Sequence, residues 1–166
     1  MTEKEKMLAG QIYSATDPQL LEELAAAREV IHDFNRLRPS EHERKMELLK
    51  GLLGHIGDDQ IIVNQPFHCD YGKQIRVGRR FFANFNFTVL DEASVTIGDD
   101  CFIGPNVSIY TACHSTDPIE RNSRQEWAKP VTIGDNVTIG AGSVVVADIP
   151  SNCVAVGNPC KVVRQL

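Results

Sequence analysis

An aliphatic residue followed by a small residue recurs every six positions through most of the chain after residue 60. The period is found at Ile97-Gly98, Ile103-Gly104 and Ile109, again at Ile133-Gly134, Ile139-Gly140 and Val145, and upstream at Val77-Gly78, Ala83 and Val89. A step of six matches neither the 3.6-residue period of a helix nor the two-residue period of a strand. It is typical of a chain that forms a very short strand, turns and repeats. Because three such repeats close one triangular coil, the period predicts a parallel β-helix for residues 59–166.

The main alternative to this solenoid is a sandwich of ordinary short strands. A sandwich, however, places turn signals roughly every 8–12 residues. Aromatic residues make up only 7% of the chain, with a single tryptophan. A narrow core of stacked isoleucine and valine explains that shortage, so the solenoid is the better interpretation.

Residues 1–58 follow a different pattern, which predicts a pair of amphipathic helices. Asp17 and Pro18 form a helix start signal, with an N-cap and a proline suited to the first turn. Apolar residues follow at helical spacing. Ser40 is predicted to cap a second helix, which ends at Gly54. The chain is therefore mainly β, with an N-terminal helical segment.

Overall composition excludes several classes of protein. The chain has 166 residues and a net charge of −5, which argues against nucleic acid or an anionic membrane as a partner bound through bulk charge. No apolar run has the roughly 20 residues of a spanning helix. The N-terminus lacks the apolar region of a secretory signal. Five cysteines without a CxxC spacing indicate no disulfide framework, so we expect a reduced, cytoplasmic protein.

The six-residue period is interrupted by a polar excursion loop at residues 111–129, which contains His114 and Trp127. A long polar loop on a rigid scaffold is often functional. His114 is the leading candidate for a general acid or base, because imidazole titrates near neutral pH. Glu126 lies near the end of the loop.

Other polar residues stand in apolar or aromatic surroundings, where a side chain needs partners or a function. Asp70 and Asn84 are the clearest cases. Asp91 and Glu92 form a pair of carboxylates, which is interpreted first as a turn or surface feature. Near the C-terminus, Lys161 and Arg164 form a small cationic patch that suits a phosphate-bearing ligand, although solvated charges on a tail are an equal alternative.

Two rival chemistries involve the adjacent His/Cys pairs, His68-Cys69 and Cys113-His114. Neighbouring residues of a strand point to opposite faces, and no zinc-ligand spacing is present, so no metal site is predicted. A Cys113 nucleophile is weakly indicated, since sequence neighbours rarely place a thiol against an imidazole nitrogen.

Taken together, the motifs of the chain resemble those of the maltose/galactoside O-acetyltransferases, which are hexapeptide-repeat enzymes. The stretches that carry the resemblance are Met7–Gly10, Phe82–Asn86, Ile97–Asp99, Ile103–Val107, the His114 loop with Arg121–Ser123, Lys129–Gly134 and Val156–Pro159. The resemblance covers nearly the whole chain. It implies a left-handed parallel β-helix, a homotrimer with active sites between subunits, and acetyl transfer from acetyl-CoA to a sugar hydroxyl, without a metal.

The resemblance also implies roles for individual residues. His114 resembles the base that deprotonates the acceptor hydroxyl, and Glu126 falls where a residue orients that histidine. The acceptor-site positions are Asp17, Asp70, Asn84 and Glu92, with residues 1–58 on the acceptor side. The positions that match cofactor contacts are Ala141, Ser143, Lys161 and Arg164. The Ala141 amide is the candidate donor to the oxyanion.

The sequence departs from the family pattern after Val137, where about three hexapeptides, or one coil, are absent. The cofactor arm lies along these coils in the family. A catalytically weak or inactive trimeric scaffold is therefore the alternative to the sugar O-acetyltransferase. A third interpretation, a γ-type carbonic anhydrase on the same solenoid, lacks the required set of histidines.

Overall fold

The computed structural model describes residues 1–166, and the N-terminal third is mainly helical. Its elements are α1 (Glu3–Leu8), β1 (Tyr13–Ser14), α2 (Pro18–Arg36) and α3 (His42–Leu52). Asp17 caps α2 as predicted, since its side chain accepts hydrogen bonds from the amides of Gln19 and Leu20. The prediction of Ser40 as the second cap is wrong. Glu41 occupies the cap position, and its carboxylate bonds backwards to the Arg38 amide at 2.6 Å.

Three parallel sheets form the rest of the molecule and wind into a three-sided prism. Sheet 1 contains β2 (His55–Ile56), β5 (Ile75–Val77), β8 (Val95–Ile97) and β13 (Val131–Ile133). Sheet 2 contains β3 (Ile62–Val63), β6 (Phe82–Ala83), β9 (Phe102–Ile103), β14 (Val137–Ile139) and β16 (Cys153–Val156), with β17 (Lys161–Gln165) added antiparallel at its end. Sheet 3 contains β4 (Phe67–Cys69), β7 (Phe87–Leu90), β10 (Ser108–Tyr110) and β15 (Val144–Val145). This is the parallel β-helix, preceded by helices, that the six-residue period predicts.

The period of six is the spacing of inward-facing residues. Val77, Ile97 and Ile133 stand in register in sheet 1 and are at most 2% exposed. Along each of these strands, successive side chains point alternately into the core and towards solvent. The apolar face of α2 closes the first coil, where Phe34 packs edge-to-face on Phe67. Helices α2 and α3 therefore share one core with the solenoid.

Successive sheets meet at three corners, which we call 1–2, 2–3 and 3–1 after the sheets that they join. At corner 2–3, Asn86, Asn106 and Gly142 stack with positive φ. Asparagine and glycine tolerate that backbone conformation better than other residues do. At corner 1–2, Asn136 and Asn152 adopt the same conformation, and their side chains bond to each other at 3.0 Å.

The excursion loop leaves the prism at corner 3–1 and returns to it. It contains β11 (Ala112–Cys113), α4 (Pro118–Asn122) and β12 (Gln125–Ala128). The amide of Lys129 donates to the Thr111 carbonyl at 2.9 Å, which closes the base of the loop. None of the four helices combines the length and apolar character needed to cross a membrane.

Candidate active site

The loop strands bring His114 and Glu126 together. β11 and β12 pair antiparallel, with Cys113 opposite Trp127, so the residues that flank this pair face one another. His114 Nδ1 lies 3.3 Å from Glu126 Oε2. The Glu126 side chain is only 14% exposed, whereas that of His114 is 56% exposed. One ring nitrogen is thus held against a carboxylate while the rest of the imidazole reaches solvent, as a general base requires.

A second strand reaches this pair from the N-terminal segment. β1 pairs antiparallel with β12, with Tyr13 directly opposite Glu126. The Tyr13 hydroxyl donates to Glu126 Oε1. Sequence reasoning missed Tyr13, and the only signal was its type, since the chain has three tyrosines.

Two predicted acceptor-site carboxyls meet at corner 3–1. Glu92 is 7% exposed and is hydrogen-bonded to the Asp70 side chain. Burial and the neighbouring Asp70 raise the pKa of Glu92 to about 9. Glu92 is therefore protonated at neutral pH and donates a hydrogen bond to the Asp70 carboxylate. The Thr111 hydroxyl lies 3.4 Å from Glu92 Oε2, a neighbour that sequence reasoning did not identify.

Asp91 has a structural role in the same corner. It is fully buried, and its Oδ1 accepts hydrogen bonds from the Asp70 and Tyr71 amides at 3.1 and 2.8 Å. Burial raises its pKa to about 6, although these amide bonds oppose the shift. Asp91 is a turn residue, as predicted, but the interpretation of Asp91 and Glu92 as surface carboxylates is wrong because both are buried.

An open cleft of about 590 Å³ adjoins Asp70 between α2 and β4. Arg28, His32 and His68 are among the residues that line it. Arg28 Nη2 lies 3.9 Å from Asp70 Oδ1. The Asp70 side chain, 18% exposed, therefore borders both the buried Glu92 and open space.

Corner 2–3 carries three more of the predicted residues, namely Asn84, Ala141 and Ser143. Asn84, Gly104 and Gly140 occupy equivalent positions in successive coils, because each amide donates to the strand of the next coil. Asn84 uses its own side-chain oxygen to accept the Phe85 amide at 2.8 Å. The Ala141 amide donates to no acceptor within the chain.

The free Ala141 amide is unusual among its stacked neighbours. Phe85 donates to Asn84, Pro105 has no N–H, and Gly157 donates to the Ser143 hydroxyl at 3.0 Å. Among these four equivalent positions only Ala141 presents an unused donor. This is the property that the candidate oxyanion donor needs.

Ser143 and Asp17 are occupied within the protein. Ser143 is fully buried, and its hydroxyl donates to the Gly140 carbonyl at 2.6 Å in addition to accepting the Gly157 amide. The Asp17 carboxylate caps α2. The cofactor-binding role of Ser143 and the acceptor-binding role of Asp17 stay predictions.

The predicted residues thus form two groups at two different corners. His114, Glu126, Asp70 and Glu92 lie at or beside corner 3–1, whereas Asn84 and Ala141 lie at corner 2–3. The strands of sheet 3 separate these corners, and four residues such as those of β7 span roughly 13 Å. A single chain therefore does not bring its Ala141 amide to its His114 ring.

The rival sites do not form in the structure. His68 points outwards and Cys69 into the core, as the alternation of burial along β4 shows. Cys113 Sγ lies 3.6 Å from the Thr111 carbonyl oxygen and makes no hydrogen bond to His114. No group of three or more His, Cys, Asp or Glu side chains is arranged to hold a metal ion.

Comparison with known proteins identifies the family. Residues 6–57 match the maltose acetyltransferase hexapeptide capping motif, and residues 94–112 and 130–162 match the hexapeptide repeat of succinyl-transferase. A maltose O-acetyltransferase from Clostridium difficile is 44% identical and superposes with a TM-score of 0.90, covering 100% of this chain and 98% of that one. The chain belongs to the hexapeptide-repeat acetyltransferases.

Two further relatives match this acetyltransferase over nearly its whole length. A galactoside acetyltransferase in complex with coenzyme A is 34% identical, with a TM-score of 0.88 over 99% of this chain and 91% of that one. A relative from Dictyostelium discoideum is 39% identical over 100% of this chain and 95% of its own length. That alignment runs over 184 positions, whereas this acetyltransferase has 166 residues.

Eighteen positions of the relative thus have no counterpart in this acetyltransferase, which is the length of three hexapeptides, or one coil. The structure shows no break where the coil was predicted to be absent. β14 pairs in register with β9 on one side and β16 on the other. The stacking of the coils is therefore continuous on both sides of Val137.

Lys161 and Arg164 lie at the end of the prism. Both are exposed on β17, and neither forms an ion pair with a carboxylate of the chain. Two unpaired cations in a chain of net charge −5 are available to an anionic ligand.

Proposed function

We propose that the protein transfers an acetyl group from acetyl-CoA to a hydroxyl of a sugar, with His114 as the general base. The observation that carries the proposal is the pairing of a solvent-accessible His114 with the largely buried Glu126 carboxylate. Two relatives support the substrate class, namely a maltose O-acetyltransferase and a galactoside acetyltransferase in complex with coenzyme A.

The chemistry follows from the two groups of residues. With Nδ1 turned towards Glu126, Nε2 of His114 accepts the proton of the acceptor hydroxyl as its oxygen attacks the thioester carbonyl carbon. The carbonyl oxygen becomes an oxyanion, which the free Ala141 amide stabilises by a hydrogen bond. When the C–S bond breaks, the thiolate of CoA takes the proton from His114, which returns to its neutral form.

Asp70 and Glu92 are proposed to hold the acceptor. The exposed side of Asp70 faces the cleft beside α2 and accepts hydrogen bonds from sugar hydroxyls, while Glu92 fixes its orientation from behind. Lys161 and Arg164 bind the phosphates of CoA at the end of the prism.

We further propose that the protein is a homotrimer, with each active site built between two subunits. His114 of one subunit then faces the Asn84 and Ala141 corner of its neighbour, which resolves their separation within one chain. The outer face of sheet 2 supports this assembly. Ile62 and Phe102 are more than half exposed, and Phe82 stacks on Phe102 with ring centroids 5.4 Å apart. The equivalent outward positions of sheet 1 are polar, namely Arg76, Thr96 and Thr132.

The first experiment measures binding of CoA by isothermal titration, followed by acetyl-CoA turnover with glucose, maltose and galactosides. We expect His114→Ala to retain CoA binding and lose about 10²–10⁴-fold in kcat. His42→Ala, an exposed histidine on α3, is the matched control. An unchanged rate for His114→Ala overturns the role of the base. Absence of CoA binding in the wild type favours the trimeric scaffold.

Subunit mixing tests the shared active site. His114→Ala and Asn84→Ala chains are each expected to be weakly active. When they are dissociated together and reassembled at equal ratio, about a quarter of the sites receive His114 from one chain and Asn84 from another, by random assembly of a ring. Recovery of about a quarter of the wild-type rate supports the shared site, and no recovery contradicts it.

A further inference from the structure

Tyr13, Glu126 and His114 form a continuous chain of side chains. The Tyr13 hydroxyl donates to one carboxylate oxygen of Glu126, and the other oxygen lies 3.3 Å from His114 Nδ1. The contact joins residues 113 positions apart in the sequence. It is supported by main-chain pairing, because Tyr13 is directly opposite Glu126 between β1 and β12.

Tyr13 is placed to serve as a fixed donor. It is 2% exposed and packs with Met7 and Leu20 in a small cluster of its own. Burial and the adjacent Glu126 carboxylate raise the pKa of its phenol, so the hydroxyl keeps its proton over the whole working range of pH. Glu126 is its only hydrogen-bond partner in the chain.

Glu126 needs such a partner in order to orient a histidine. The terminal torsion of a glutamate side chain is broad and is not fixed by rotamer preference. With one oxygen held by Tyr13, the other is held towards Nδ1. A carboxylate at Nδ1 favours the tautomer in which Nδ1 carries the proton and Nε2 is free to accept one.

We propose that Tyr13 is a positioning residue for His114, acting through Glu126 to hold the imidazole in the tautomer that can act as a base. The inference rests on the proposed function, in which His114 is that base. It assigns part of the catalytic apparatus to the N-terminal segment, outside the solenoid.

The test begins with Tyr13→Phe, which keeps the buried ring and removes only the hydroxyl. Loss of a hydrogen bond to a charged group is expected to lower kcat by about 10- to 100-fold, with little change in KM for acetyl-CoA. Tyr110→Phe is the matched control, since its hydroxyl makes no hydrogen bond within the chain, and we expect it to retain the wild-type rate.

A double-mutant cycle separates positioning from simple structural support. Tyr13 is expected to have little effect once Glu126 is replaced, so Tyr13→Phe should cost much less in a Glu126→Gln background than in the wild type. If the two losses multiply instead, Tyr13 does not act through Glu126 and the proposal is overturned.

The tautomer of His114 is read directly from imidazole ¹⁵N chemical shifts at a pH where the ring is neutral. The wild type is expected to show Nδ1–H as the main form, and Tyr13→Phe a larger share of Nε2–H. Equal tautomer populations in the two proteins contradict the proposal. Since this measurement requires no turnover, it tests Tyr13 even if acetyl transfer itself is not found.

Discussion

Gly104 lies directly against the backbone amide of Ala141. A Cβ added to Gly104 would come within 2.8 Å of Ala141 N, closer than real Cβ contacts come, and within 3.1 Å of the Ala141 Cα. Among the equivalent residues stacked at corner 2–3, Ala141 is also the one whose N–H has no hydrogen-bond partner. The missing side chain at 104 therefore leaves a gap beside this amide.

Gly104→Ala should fill that gap and displace or cover the donor. Removal of one oxyanion donor costs about 10²–10³-fold in kcat, so we expect a loss of that order with CoA binding largely retained. Gly134→Ala is the matched control, because its Cβ would meet Ser151 N at 2.5 Å at corner 1–2, far from Ala141. Both variants should melt at a lower temperature. If both retain wild-type kcat below that temperature, the role of the Ala141 amide is contradicted.

Ser143→Ala distinguishes a structural from a cofactor-binding serine. Its hydroxyl holds Gly140 O and Gly157 N within the last complete turn. Removing the hydroxyl leaves both of these backbone groups without their partner, and one buried unsatisfied polar group costs about 1–3 kcal/mol of unfolding free energy. We expect a lower midpoint in urea and an unchanged Kd for CoA by calorimetry. A marked rise in that Kd with unchanged stability would instead show that Ser143 contacts the cofactor.

The parts of the molecule that local patterns govern could be predicted from the sequence. The six-residue period identifies inward residues such as Ile97 and Ile133, because each coil repeats the same local geometry. Asp17 is recognisable as a cap, since its partners lie two and three residues ahead. Ser40 shows the limit of such patterns. The neighbouring Glu41 has the longer side chain and bonds to Arg38, so the helix begins one residue later than predicted.

Contacts between distant segments could not be predicted in the same way. Nothing local in Tyr13 or Glu126 indicates that β1 and β12 pair across the chain. The burial of Glu92 likewise depends on the stacking of Thr111 and Asp70 from adjacent coils. His114 and Glu126 could be singled out by residue type and position in the loop, whereas their geometry depends on the register of β11 against β12.

The stability of the protein should depend on the protonation of Glu92. Its folded-state pKa is raised to about 9, mainly because of burial. The folded protein therefore binds a proton that the unfolded chain releases above its ordinary glutamate pKa. The contribution of Glu92 to stability should be fully present below that ordinary value and should be lost as the pH rises towards 9.

Glu92→Gln removes this titration and keeps the shape of the side chain. Its unfolding free energy, measured in urea between pH 5 and pH 9, should fall less steeply with pH than that of the wild type. Glu43→Gln, on the exposed surface of α3, is the control and should retain the wild-type slope. Parallel curves for the wild type and Glu92→Gln would contradict a protonated Glu92.

The apolar outer face of sheet 2 should determine the oligomeric state. Phe102 is 54% exposed and stacks on Phe82, with Ile62 beyond it in the same column. Phe102→Glu places a charge in this column without entering the core of the prism, since the side chain points outwards. We expect the wild type to sediment as a trimer of 18.4 kDa chains. Phe102→Glu should sediment as smaller species, because burying an unpaired carboxylate between subunits is costly.

Thr96→Glu is the control. It places the same charge on the polar face of sheet 1, beside Arg76, and should leave the trimer intact. A wild-type protein that sediments as a monomer contradicts the assembly, as does a trimer that Phe102→Glu does not change.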